Sequence, residues 1–587
     1  METSPLCGTI ILEMNPSGRE ETKTRKRAWY WGIPRVFKHF IGEELKQHSL
    51  LPTLKNSLRA RELKFTQALT LSDLLSRRAK ESGKKTFFYF ENQTFSFTQA
   101  DRVVNQVSHW LKRLSAKNGD GLGIMLDNCP EFLLGYFASQ RIGMCAVPVN
   151  TELKGDGLAY LIGHSEIKML LIGEKFLPTF LALKSEFPKL THLLVLSSQA
   201  ATPPGTPYIV ANFRDAYQEK IVPDPKWSPN PDDISTIMYT SGTTGRPKGV
   251  SFYYSNTWVR RLGLFANLIF EPTDKLYTCL PLFHANALFL TFSAGLWMGI
   301  PVILSRKFSG SRFWSEIEFH QATVFSAIGA MIPILLKTPE MASDSRNSVR
   351  LVLSAACPVH SWKEFERRFQ LTLWEGYSAV DGGQNFIYNL GNAPVGSIGK
   401  PMGVKYKIEL EDGSEAPDNQ PGELLFKVRD RKRAVSYFKD QDATDEKVKN
   451  GYLHSGDLVY RDEQGYLYFV GRKTDSMRRR GENVSAYEVE STLATHPDIL
   501  ECAVYGVPSV LAEEEIMCAL VAVPGKTVNP RELEPWLSER LASYAVPRFF
   551  RMMSELPKTG TLRVMKAVLK EQGVTPDTVD LRPEVPR

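Results

Sequence analysis

The sequence is poor in cysteine and lacks the spacings that metal sites and disulfide frameworks use. Its seven cysteines, among 587 residues, form no C-x-x-C pair, and no histidine pair stands at metal-ligating spacing. This usage argues against a structural zinc site and favours a reducing compartment, so we expect a cytoplasmic protein. The cysteines are Cys7, Cys129, Cys145, Cys279, Cys357, Cys502 and Cys518.

Other features are also absent, and each absence excludes a class of protein. There is no internal repeat, no long low-complexity tract and no RNA- or DNA-binding motif, so we expect no nucleic-acid partner. Residues 6–12 are too short and too interrupted for a signal peptide. Residues 287–304 form an uncharged run long enough to span a membrane. Because Gly295, Gly299 and Pro301 divide this run, we interpret it as a buried helix followed by a core strand; a membrane span is the alternative.

The net charge of +7 is concentrated at the N-terminus. Residues 1–66 hold twelve Lys/Arg and seven Asp/Glu. Within this extension, basic residues and aromatic rings are interleaved over residues 23–41, a composition typical of segments that bind a membrane surface. The alternative is an extension that packs its aromatic rings on the rest of the protein. We therefore expect either a cytoplasmic protein or one associated peripherally with the cytoplasmic face of a membrane.

Short apolar runs alternate with longer amphipathic segments between about residues 67 and 470. The apolar runs include residues 87–90, 121–126, 168–172 and 193–196, and the amphipathic segments include residues 99–114 and 130–141. This alternation predicts βαβ units and mostly parallel sheets. We therefore expect an α/β fold, with a large N-terminal domain of sheets flanked by helices over residues 67–471.

The pattern changes near residues 455–475. Four glycines and the cationic run at residues 472–480 predict turns and a hinge here rather than a continuous core. Residues 475–587 then combine helical and strand patterns and predict a small, mobile α+β domain, with the hinge at residues 472–474. The predicted helices are residues 487–495 and 531–541, the predicted strands lie around residues 503–505 and 517–523, and the glycines are Gly451, Gly456, Gly465 and Gly471.

Residues 239–249 (Y-T-S-G-T-T-G-R-P-K-G) are the most informative segment. They follow an apolar run that reads as the end of a buried strand, and they combine glycines, hydroxyls and two cations. Glycines let the backbone approach a polyanion, hydroxyl and N–H groups donate to phosphate oxygens, and Arg246 or Lys248 neutralises charge. The order matches neither a Walker loop nor a dinucleotide fingerprint. The segment therefore predicts a different phosphate-binding loop; a polar surface turn is the alternative.

Other polar residues could carry chemistry. Asp381 could bind Mg²⁺, because magnesium held together with phosphates needs only one or two carboxylates; a solvated loop carboxylate is the alternative. Asp457 and Arg472 could hold a ribose diol or a phosphate, whereas an Asp after Gly is otherwise typical of an Asx-turn. His284 stands between apolar residues, where a hydrogen-bonded structural histidine is the default. The small residues at 354–356 end a predicted strand and offer a surface for a flat ring.

The order of these motifs resembles the acyl-adenylate-forming superfamily of acyl-CoA synthetases, luciferases and peptide-synthetase adenylation domains. The resemblance covers about residues 68–570. Residues 471–475 (G-R-K-T-D) and 480–485 (R-G-E-N-V-S) are similar to carnitine-CoA ligases and to the fatty-acid transport protein/very-long-chain acyl-CoA synthetase family. Residues 150–153 (N-T-E-L) and 559–563 (T-G-T-L-R) are similar to the second of these families.

The resemblance implies an AMP-forming acid–thiol ligase that uses ATP, Mg²⁺ and coenzyme A. Such an enzyme converts a carboxylate to an acyl-adenylate and then transfers the acyl group to the thiol of coenzyme A. The residues implied for the β- and γ-phosphates are Thr240, Ser241, Gly242, Thr243, Thr244, Gly245 and Lys248. Those implied for the rest of the nucleotide are Ser354, Ala355, Ala356, Tyr377 and Ser378 around adenine, Asp457 and Arg472 at ribose, and Asp381 at magnesium.

Further roles follow from the same resemblance. Phe283 and His284 would border the acyl pocket near the reacting carboxylate. Thr474 would lie at the hinge about which the small domain rotates between the half-reactions. The pantetheine path would be faced by Gly481, Glu482 and Asn483. The residues implied for catalysis are Thr240, Lys248, His284, Asp381 and Arg563.

Two positions depart from the family pattern. Val380 stands where the family usually has a threonine that donates to the α-phosphate. Arg563 stands where it usually has a lysine that bridges the carboxylate and the α-phosphate, and a planar guanidinium is a wider group than an ammonium. Lys558 or Lys566 could replace that lysine if the loop shifts. We therefore expect slow but measurable adenylation, and we expect Arg563→Lys to raise it.

The leading interpretation is an ATP-dependent acyl-CoA synthetase for a hydrophobic carboxylate, a medium- to very-long-chain fatty acid, with a role in fatty acid metabolism. Activation of amino acids is disfavoured, because residues 285–287 (A-N-A) offer no acid for an α-ammonium group. One alternative is a degenerate homologue that binds nucleotide or fatty acid with little turnover. Another is a membrane-embedded fatty-acid transport protein.

Overall fold

The structure is a computed structural model, and it describes most of the chain after residue 69. The described residues are 70–197, 206–220, 222, 227–240, 246–329, 331–383, 385–389, 393–401, 404–428, 434–479, 482–508, 514–559 and 564–582; for 256–257, 474, 478 and 482–483 it describes the backbone alone. The chain separates into two compact units, Met1–Leu51 and Pro52–Arg587, and all described residues belong to the second. The predicted membrane-binding segment, residues 23–41, lies outside the described residues.

Strands occur throughout the described residues. In chain order they are β1 (Thr86–Phe90), β2 (Gln93–Ser96), β3 (Gly121–Met125), β4 (Cys145–Pro148), β5 (Ile167–Gly173), β6 (His192–Leu196), β7 (Ile209–Asn212), β8 (Ile234–Tyr239), β9 (Gly249–Tyr253), β10 (Leu276–Thr278), β11 (Val302–Leu304), β12 (Val324–Ile328), β13 (Leu351–Ala355), β14 (Thr372–Tyr377), β15 (Ile387–Tyr388), β16 (Ser397–Gly399), β17 (Tyr406–Glu409), β18 (Gly422–Lys427), β19 (Val448–Lys449), β20 (Tyr452–Arg461), β21 (Leu467–Arg472), β22 (Ser476–Arg479), β23 (Glu482–Ser485), β24 (Ile499–Pro508), β25 (Glu514–Ala522), β26 (Phe549–Met552) and β27 (Thr578–Asp580).

Helices connect many of these strands. They are α1 (Leu71–Ser82), α2 (Phe97–Arg113), α3 (Pro130–Arg141), α4 (Gly155–Ser165), α5 (Leu177–Leu181), α6 (Asn256–Ile269), α7 (Ala294–Met298), α8 (Phe313–His320), α9 (Met331–Leu336), α10 (Val359–Phe369), α11 (Gln441–Lys447), α12 (Ala486–Leu493), α13 (Pro530–Ser538) and α14 (Lys566–Gln572), with 3-10 helices at Glu174–Phe176, Phe213–Gln218 and Lys473–Asp475 and a π-helix at Asn286–Ser293. Capping boxes at Thr70 and Ser96 explain where α1 and α2 begin, because each side chain accepts an otherwise unpaired backbone N–H.

The large domain contains two mostly parallel sheets. One has the strand order β7-β6-β5-β3-β4-β8-β9, and its only antiparallel pair in the described residues is β8 with β9. The other has the order β15-β14-β13-β12-β10-β11-β1-β2, with antiparallel pairs at its two edges. Because β13 and β14 are parallel, their carboxyl ends meet at one edge of the sheet, which is where open α/β sheets bind ligands.

A third sheet, antiparallel throughout, corrects one prediction. Its order is β16-β21-β20-β18-β17, with β19 on β20. Near residues 455–475, where turns and a hinge rather than a continuous core were predicted, β20 and β21 occupy most of the chain and only residues 462–466 form a turn between them, so the prediction of turns is corrected there while the hinge stays a prediction. Burial alternates along β20 as expected for a half-buried strand, and Gly456, with φ 78°, lies inside it. The glycine supplies an irregular backbone position within a strand instead of ending the strand.

The uncharged run at residues 287–304 is folded into the core. It contains most of the π-helix, then α7 and β11, and the side chains of Leu288, Phe292 and Leu296 are fully buried. In the part of the chain that the structure describes, no helix is long and apolar enough to cross a membrane. The interpretation as a buried helix followed by a core strand is confirmed.

The C-terminal residues form a small α+β domain with apolar clusters of its own. Its sheet has the order β24-β25-β26-β27, and β22 pairs with β23. The buried apolar clusters of residues 71–467 and those of residues 477–569 have no member in common. The predicted α/β fold, with a large N-terminal domain of mostly parallel sheets and a small α+β C-terminal domain, is confirmed.

Candidate active site

The predicted phosphate loop connects the antiparallel strands β8 and β9. Tyr239 pairs with Gly249, and the N–H of Thr240 donates to the carbonyl oxygen of Lys248 at 2.9 Å, so both ends of the loop are fixed. Residues 241–245, which include the predicted Ser241, Gly242, Thr243, Thr244 and Gly245, lie outside the described residues. A buried strand does precede the loop, as the apolar run predicted.

The two cations of the loop are exposed, and each lies over an aromatic ring. The guanidinium carbon of Arg246 is 5.1 Å from the ring centre of Tyr160, and Nζ of Lys248 is 5.3 Å from that of Tyr437. Contacts of this kind orient a cation without neutralising it. Lys248 therefore keeps its positive charge available to a phosphate.

Asp381 is held by contacts that its sequence context did not predict. The hydroxyl of Tyr437 donates to Oδ2 at 2.7 Å, and Nζ of Lys447 lies 3.0 Å from the same oxygen. Burial opposes ionisation of Asp381, but Lys447 and Tyr437 outweigh it and hold the pKa of the carboxyl below its usual value. Arg261 donates to the carbonyl oxygen of Gly383 at 2.9 Å, which ties the loop to α6. The alternative of a solvated loop carboxylate is wrong.

Asp457 and Arg472 face each other across β20 and β21. They are direct partners in the register, and Nε of Arg472 lies 3.7 Å from Oδ1 of Asp457. Tyr377, at the end of β14, donates from its hydroxyl to Oδ2 of Asp457 at 2.6 Å. Burial raises the pKa of Asp457, although Tyr377, Arg472 and Lys447 each oppose that rise. Because Asp457 lies within a strand, the alternative of an Asx-turn is wrong.

Lys447 joins these two groups of residues. Besides Asp381, its ammonium contacts the carbonyl oxygen of Ser455 at 3.1 Å, and its charge also acts on Asp457. A set of contacts therefore runs from Lys248 through Tyr437 and Asp381 to Lys447 and then, by way of Ser455, to Asp457, with Tyr377 and Arg472 at the far end. We call the seven residues other than Ser455 the polar cluster. It brings together five predicted site residues, and Tyr437 and Lys447 are the members that the sequence analysis missed.

The predicted adenine surface is fixed by a buried carboxylate. Ser354 and Ala355 end β13, and Ala356 follows with φ 64°, a backbone region that favours glycine. Glu375 on the neighbouring strand accepts the backbone N–H groups of Ala356 and Cys357, the second at 3.1 Å. Burial raises the pKa of Glu375 to about 7, with the two N–H donors opposing the rise. Ser378, predicted for the same region, is exposed just after β14.

Close backbone approach explains why this surface needs small residues. A Cβ atom on Gly329, after β12, would lie 2.0 Å from the carbonyl oxygen of Ala356. Side chains are therefore excluded where the ends of β12 and β13 meet. The sequence analysis missed Gly329 and Glu375, and only the Glu-Gly-Tyr order before the Tyr377 loop could have indicated the second.

His284 lies on a segment that Asn128 positions. Asn128 donates to the carbonyl oxygens of Leu280 and Ser305 at 3.0 and 2.9 Å and accepts the N–H of Leu282 at 2.9 Å. The π-helix that begins at Asn286 follows directly, and π-helices are frequent at functional sites.

One side-chain atom of His284 and one of Asn286 have no hydrogen-bond partner among the residues that the structure describes. Nε2 of His284 and Oδ1 of Asn286 are both buried and unpaired there. The expectation of a structural histidine with both ring nitrogens hydrogen-bonded within the protein therefore fails at Nε2. Burial lowers the pKa of His284 to about 4, so the imidazole is neutral at physiological pH. A neutral imidazole with an unpaired Nε2 is able to hydrogen-bond a substrate.

The remaining predicted residues lie in or near the small domain. Thr474 is in the 3-10 helix between β21 and β22, and Glu482 and Asn483 are in β23, paired with β22. Gly481 and Arg563 lie outside the described residues. Nζ of Lys566 is 2.7 Å from Glu490, and Lys558 pairs with Glu501, so each lysine that could replace the missing one is held by a carboxylate of the small domain.

Asp381 fits a magnesium ion that arrives with a nucleotide. Among the residues described, no group of three or more His, Cys, Asp or Glu could hold a metal ion. Nucleotide-bound Mg²⁺ does not need such a group, because phosphate and water oxygens fill most of its coordination. Both recorded contacts of Asp381 go to Oδ2, so Oδ1 is the oxygen through which it would bind the metal.

The fold and the polar cluster together define a nucleotide-binding α/β enzyme with a small C-terminal domain. Residues 75–430 match the AMP-binding enzyme family, and residues 488–562 match the AMP-binding enzyme C-terminal domain. The chain belongs to the AMP-binding enzyme family. The predicted superfamily and the predicted enzyme class, an AMP-forming ligase, are confirmed.

Relatives and similar structures support the same conclusion. The crotonobetaine/carnitine–CoA ligase of Salmonella arizonae is 29% identical over 504 residues, 83% of this chain and 96% of that protein. The structure of an anthranilate CoA ligase with anthranoyl-AMP has a TM-score of 0.77 at 24% identity and covers 87% of this chain and 98% of that one. The o-succinylbenzoate CoA synthetase of Bacillus subtilis, solved with ATP and magnesium ion, has a TM-score of 0.71 at 26% identity and covers 85% and 98%. The predicted similarity to carnitine-CoA ligases is confirmed.

Proposed function

We propose that this protein is an ATP-dependent acyl-CoA synthetase that activates a hydrophobic carboxylate through an acyl-adenylate. The observation that carries the proposal is the polar cluster, in which Tyr437 and Lys447 bring together Lys248 at the end of the phosphate loop, the carboxylate of Asp381 and the strand that carries Asp457. The named relatives act with coenzyme A, and one was solved with ATP and magnesium. ATP, Mg²⁺ and coenzyme A are therefore the proposed co-substrates and metal.

The residues of the cluster divide the work of adenylation. Lys248 and the loop that begins at Thr240 would bind the outer phosphates, while Asp457 and Arg472 would fix the ribose. Asp381 would hold magnesium, which when bound supplies positive charge to the phosphates. The substrate carboxylate is itself the nucleophile, so alignment and charge neutralisation matter more than acid–base catalysis.

The second half-reaction would use the small domain. We propose that rotation about residues 472–474 exchanges the loop that carries Arg563 for the β22–β23 hairpin, so that Gly481, Glu482 and Asn483 face the pantetheine path. Such a rotation lets one site serve two transition states.

The proposed substrate is a medium- to very-long-chain fatty acid. Two aromatic side chains pack on the π-helix that follows His284: the ring centres of Trp258 and Phe252 lie 4.8 and 5.0 Å from that of Phe289. Residues 285–287 carry no acid that could pair with a substrate ammonium group. The names of the relatives make small aromatic acids and carnitine-like acids the competing classes.

A degenerate homologue with little turnover is the second candidate. It is favoured by Val380, which lacks the hydroxyl usual at its place, and by Arg563 in place of lysine. Such a protein would bind nucleotide through the polar cluster yet form acyl-adenylate very slowly.

A substrate screen tests both proposals. AMP formation would be measured with fatty acids of increasing length, carnitine, anthranilate and o-succinylbenzoate, each with and without coenzyme A. We expect AMP and acyl-CoA in equal amounts with the fatty acids. Nucleotide binding without AMP formation for any acid would favour the degenerate homologue, and turnover of only the small acids would exclude the fatty-acid proposal.

A further inference from the structure

A lysine occupies the centre of the polar cluster, between its two carboxylates. Lys447 is the last residue of α11, its side chain is 16% exposed, and its ammonium lies 3.0 Å from Oδ2 of Asp381. The carbonyl oxygen of Ser455 accepts a second hydrogen bond from it at 3.1 Å. An ammonium donates three hydrogen bonds, so these two contacts leave it able to donate to a ligand.

The position is unusual for a structural ion pair. Burying a lysine and a carboxylate is costly, and a buried pair is weak evidence for added stability. Both contacts of Lys447 lead to proposed nucleotide ligands. One contact is to Asp381 itself, and the other is to Ser455, two residues before Asp457 on the same strand. Its charge also opposes the burial-induced rise in the pKa of Asp457.

Charge balance gives the lysine a role when a nucleotide binds. Without it, the two cations Lys248 and Arg472 are balanced by Asp381 and Asp457, and the cluster would meet a triphosphate with no net charge. With Lys447, the cluster carries one net positive charge. The ammonium holds Oδ2 of Asp381 while magnesium would bind through Oδ1 of the same carboxylate, so the two positive charges repel each other and each weakens the hold of the other on Asp381.

We propose that Lys447 is a resident cation of the nucleotide site, which contacts the phosphates of ATP and weakens the hold of Mg²⁺ on Asp381. The inference rests on the proposed ATP-dependent function. It makes Lys447 a ligand-binding residue and supplies, near Val380, a positive donor where the usual hydroxyl is missing. With Lys447 present, ATP binding would depend less on magnesium than it would if Asp381 stood there without the lysine.

The test separates nucleotide binding from metal binding. ATP would be titrated calorimetrically into the full chain in the presence of EDTA, and Mg²⁺ would then be titrated into the ATP complex without EDTA. In Lys447→Met, we expect magnesium-free ATP to bind about tenfold more weakly, because a charge-assisted hydrogen bond is lost. We expect Mg²⁺ to bind the ATP complex more tightly, because the charge that repels it from Asp381 is removed.

Two further variants complete the design. Lys447→Arg keeps the charge and should restore magnesium-free ATP binding. Lys449→Met removes an exposed lysine two residues away and should change neither titration. Opposite shifts of the two affinities in Lys447→Met are expected from this proposal and not from a merely structural lysine.

The possible results exclude different proposals. Unchanged affinities in Lys447→Met would overturn the resident-cation proposal, and so would a parallel loss of both affinities together with a lower melting temperature. Either result would leave ATP binding by the wild-type protein, and hence the proposed function, intact. A wild-type protein that binds no ATP in either condition would overturn the proposed function, and this inference with it.

Discussion

The hydroxyl group of Tyr377 donates a hydrogen bond to Oδ2 of Asp457 across 2.6 Å. Tyr377 ends a strand of the eight-stranded sheet, and Asp457 lies in the antiparallel sheet, so this bond joins two sheets of the large domain. The N–H of Asp457 donates to Oγ of Ser455 at 3.0 Å and fixes the carboxylate from its own strand. The carboxylate is thus oriented before any ligand arrives.

Asp457→Asn should weaken binding of AMP and ATP by about ten- to a hundredfold. The amide keeps one acceptor oxygen but loses the negative charge that pairs with Arg472. It also loses the second carboxylate oxygen, so it no longer accepts hydrogen bonds from both ribose hydroxyls. Hydrogen bonds to a charged group are stronger than those to a neutral one. Calorimetric titration with AMP measures the loss. Asp462→Asn is the matched control, because Asp462 also accepts from a tyrosine hydroxyl, that of Tyr468, at the far turn of the same sheet. Equal losses in both variants would contradict the ribose assignment.

Arg563→Lys should raise the rate of acyl-adenylate formation. An ammonium is compact enough to contact the substrate carboxylate and the α-phosphate together, whereas a guanidinium is wider and planar. Pyrophosphate release with a saturating fatty acid measures this step. An unchanged or lower rate would show that another residue carries this role, and the same assay on Lys558→Met and Lys566→Met would then identify it.

His284→Phe should lower acyl-adenylate formation by about ten- to a hundredfold and leave ATP affinity unchanged, because the variant loses a neutral donor beside the reacting carboxylate. Since the pKa of His284 is lowered to about 4 by burial, the shape of the pH–rate profile between pH 5.5 and 8 should be the same in both proteins. A wild-type inflection near pH 6.5 that vanishes in the variant would contradict this prediction.

Glu375→Gln should remove a pH dependence of stability. Burial raises the pKa of Glu375 from 4.5 to about 7, so folding favours the protonated acid. The stabilisation of the folded state by protonated Glu375 is therefore fully present below about pH 4.5 and is lost as the pH rises through 7. The free energy of unfolding of the wild type relative to the variant should fall by on the order of 3 kcal/mol across this window. Urea unfolding at several pH values measures the difference, and a constant difference would contradict the assignment.

The order of elements was largely predictable. Alternating apolar runs and amphipathic segments predicted the parallel strands and the helices between them, and α3 spans residues 130–141 as predicted. The strands β20 and β21 within residues 455–475 were missed because glycines weigh strongly in local patterns. In β20, Gly456 is tolerated because the neighbouring strands β18 and β21 provide the hydrogen bonds.

The sequence by itself determined the α/β class, which follows from local composition and spacing, and it indicated the family and the candidate site residues through motifs that resemble a known superfamily. Only the tertiary structure decided what holds those residues. Tyr437 and Lys447 have ordinary sequence surroundings, and their importance comes from Asp381, a partner 56 and 66 residues away. A buried charge is stabilised by whatever the fold places beside it, and local sequence carries no record of that neighbour. The phosphate loop was therefore recognisable from its residues, whereas the cation between Asp381 and Asp457 was not.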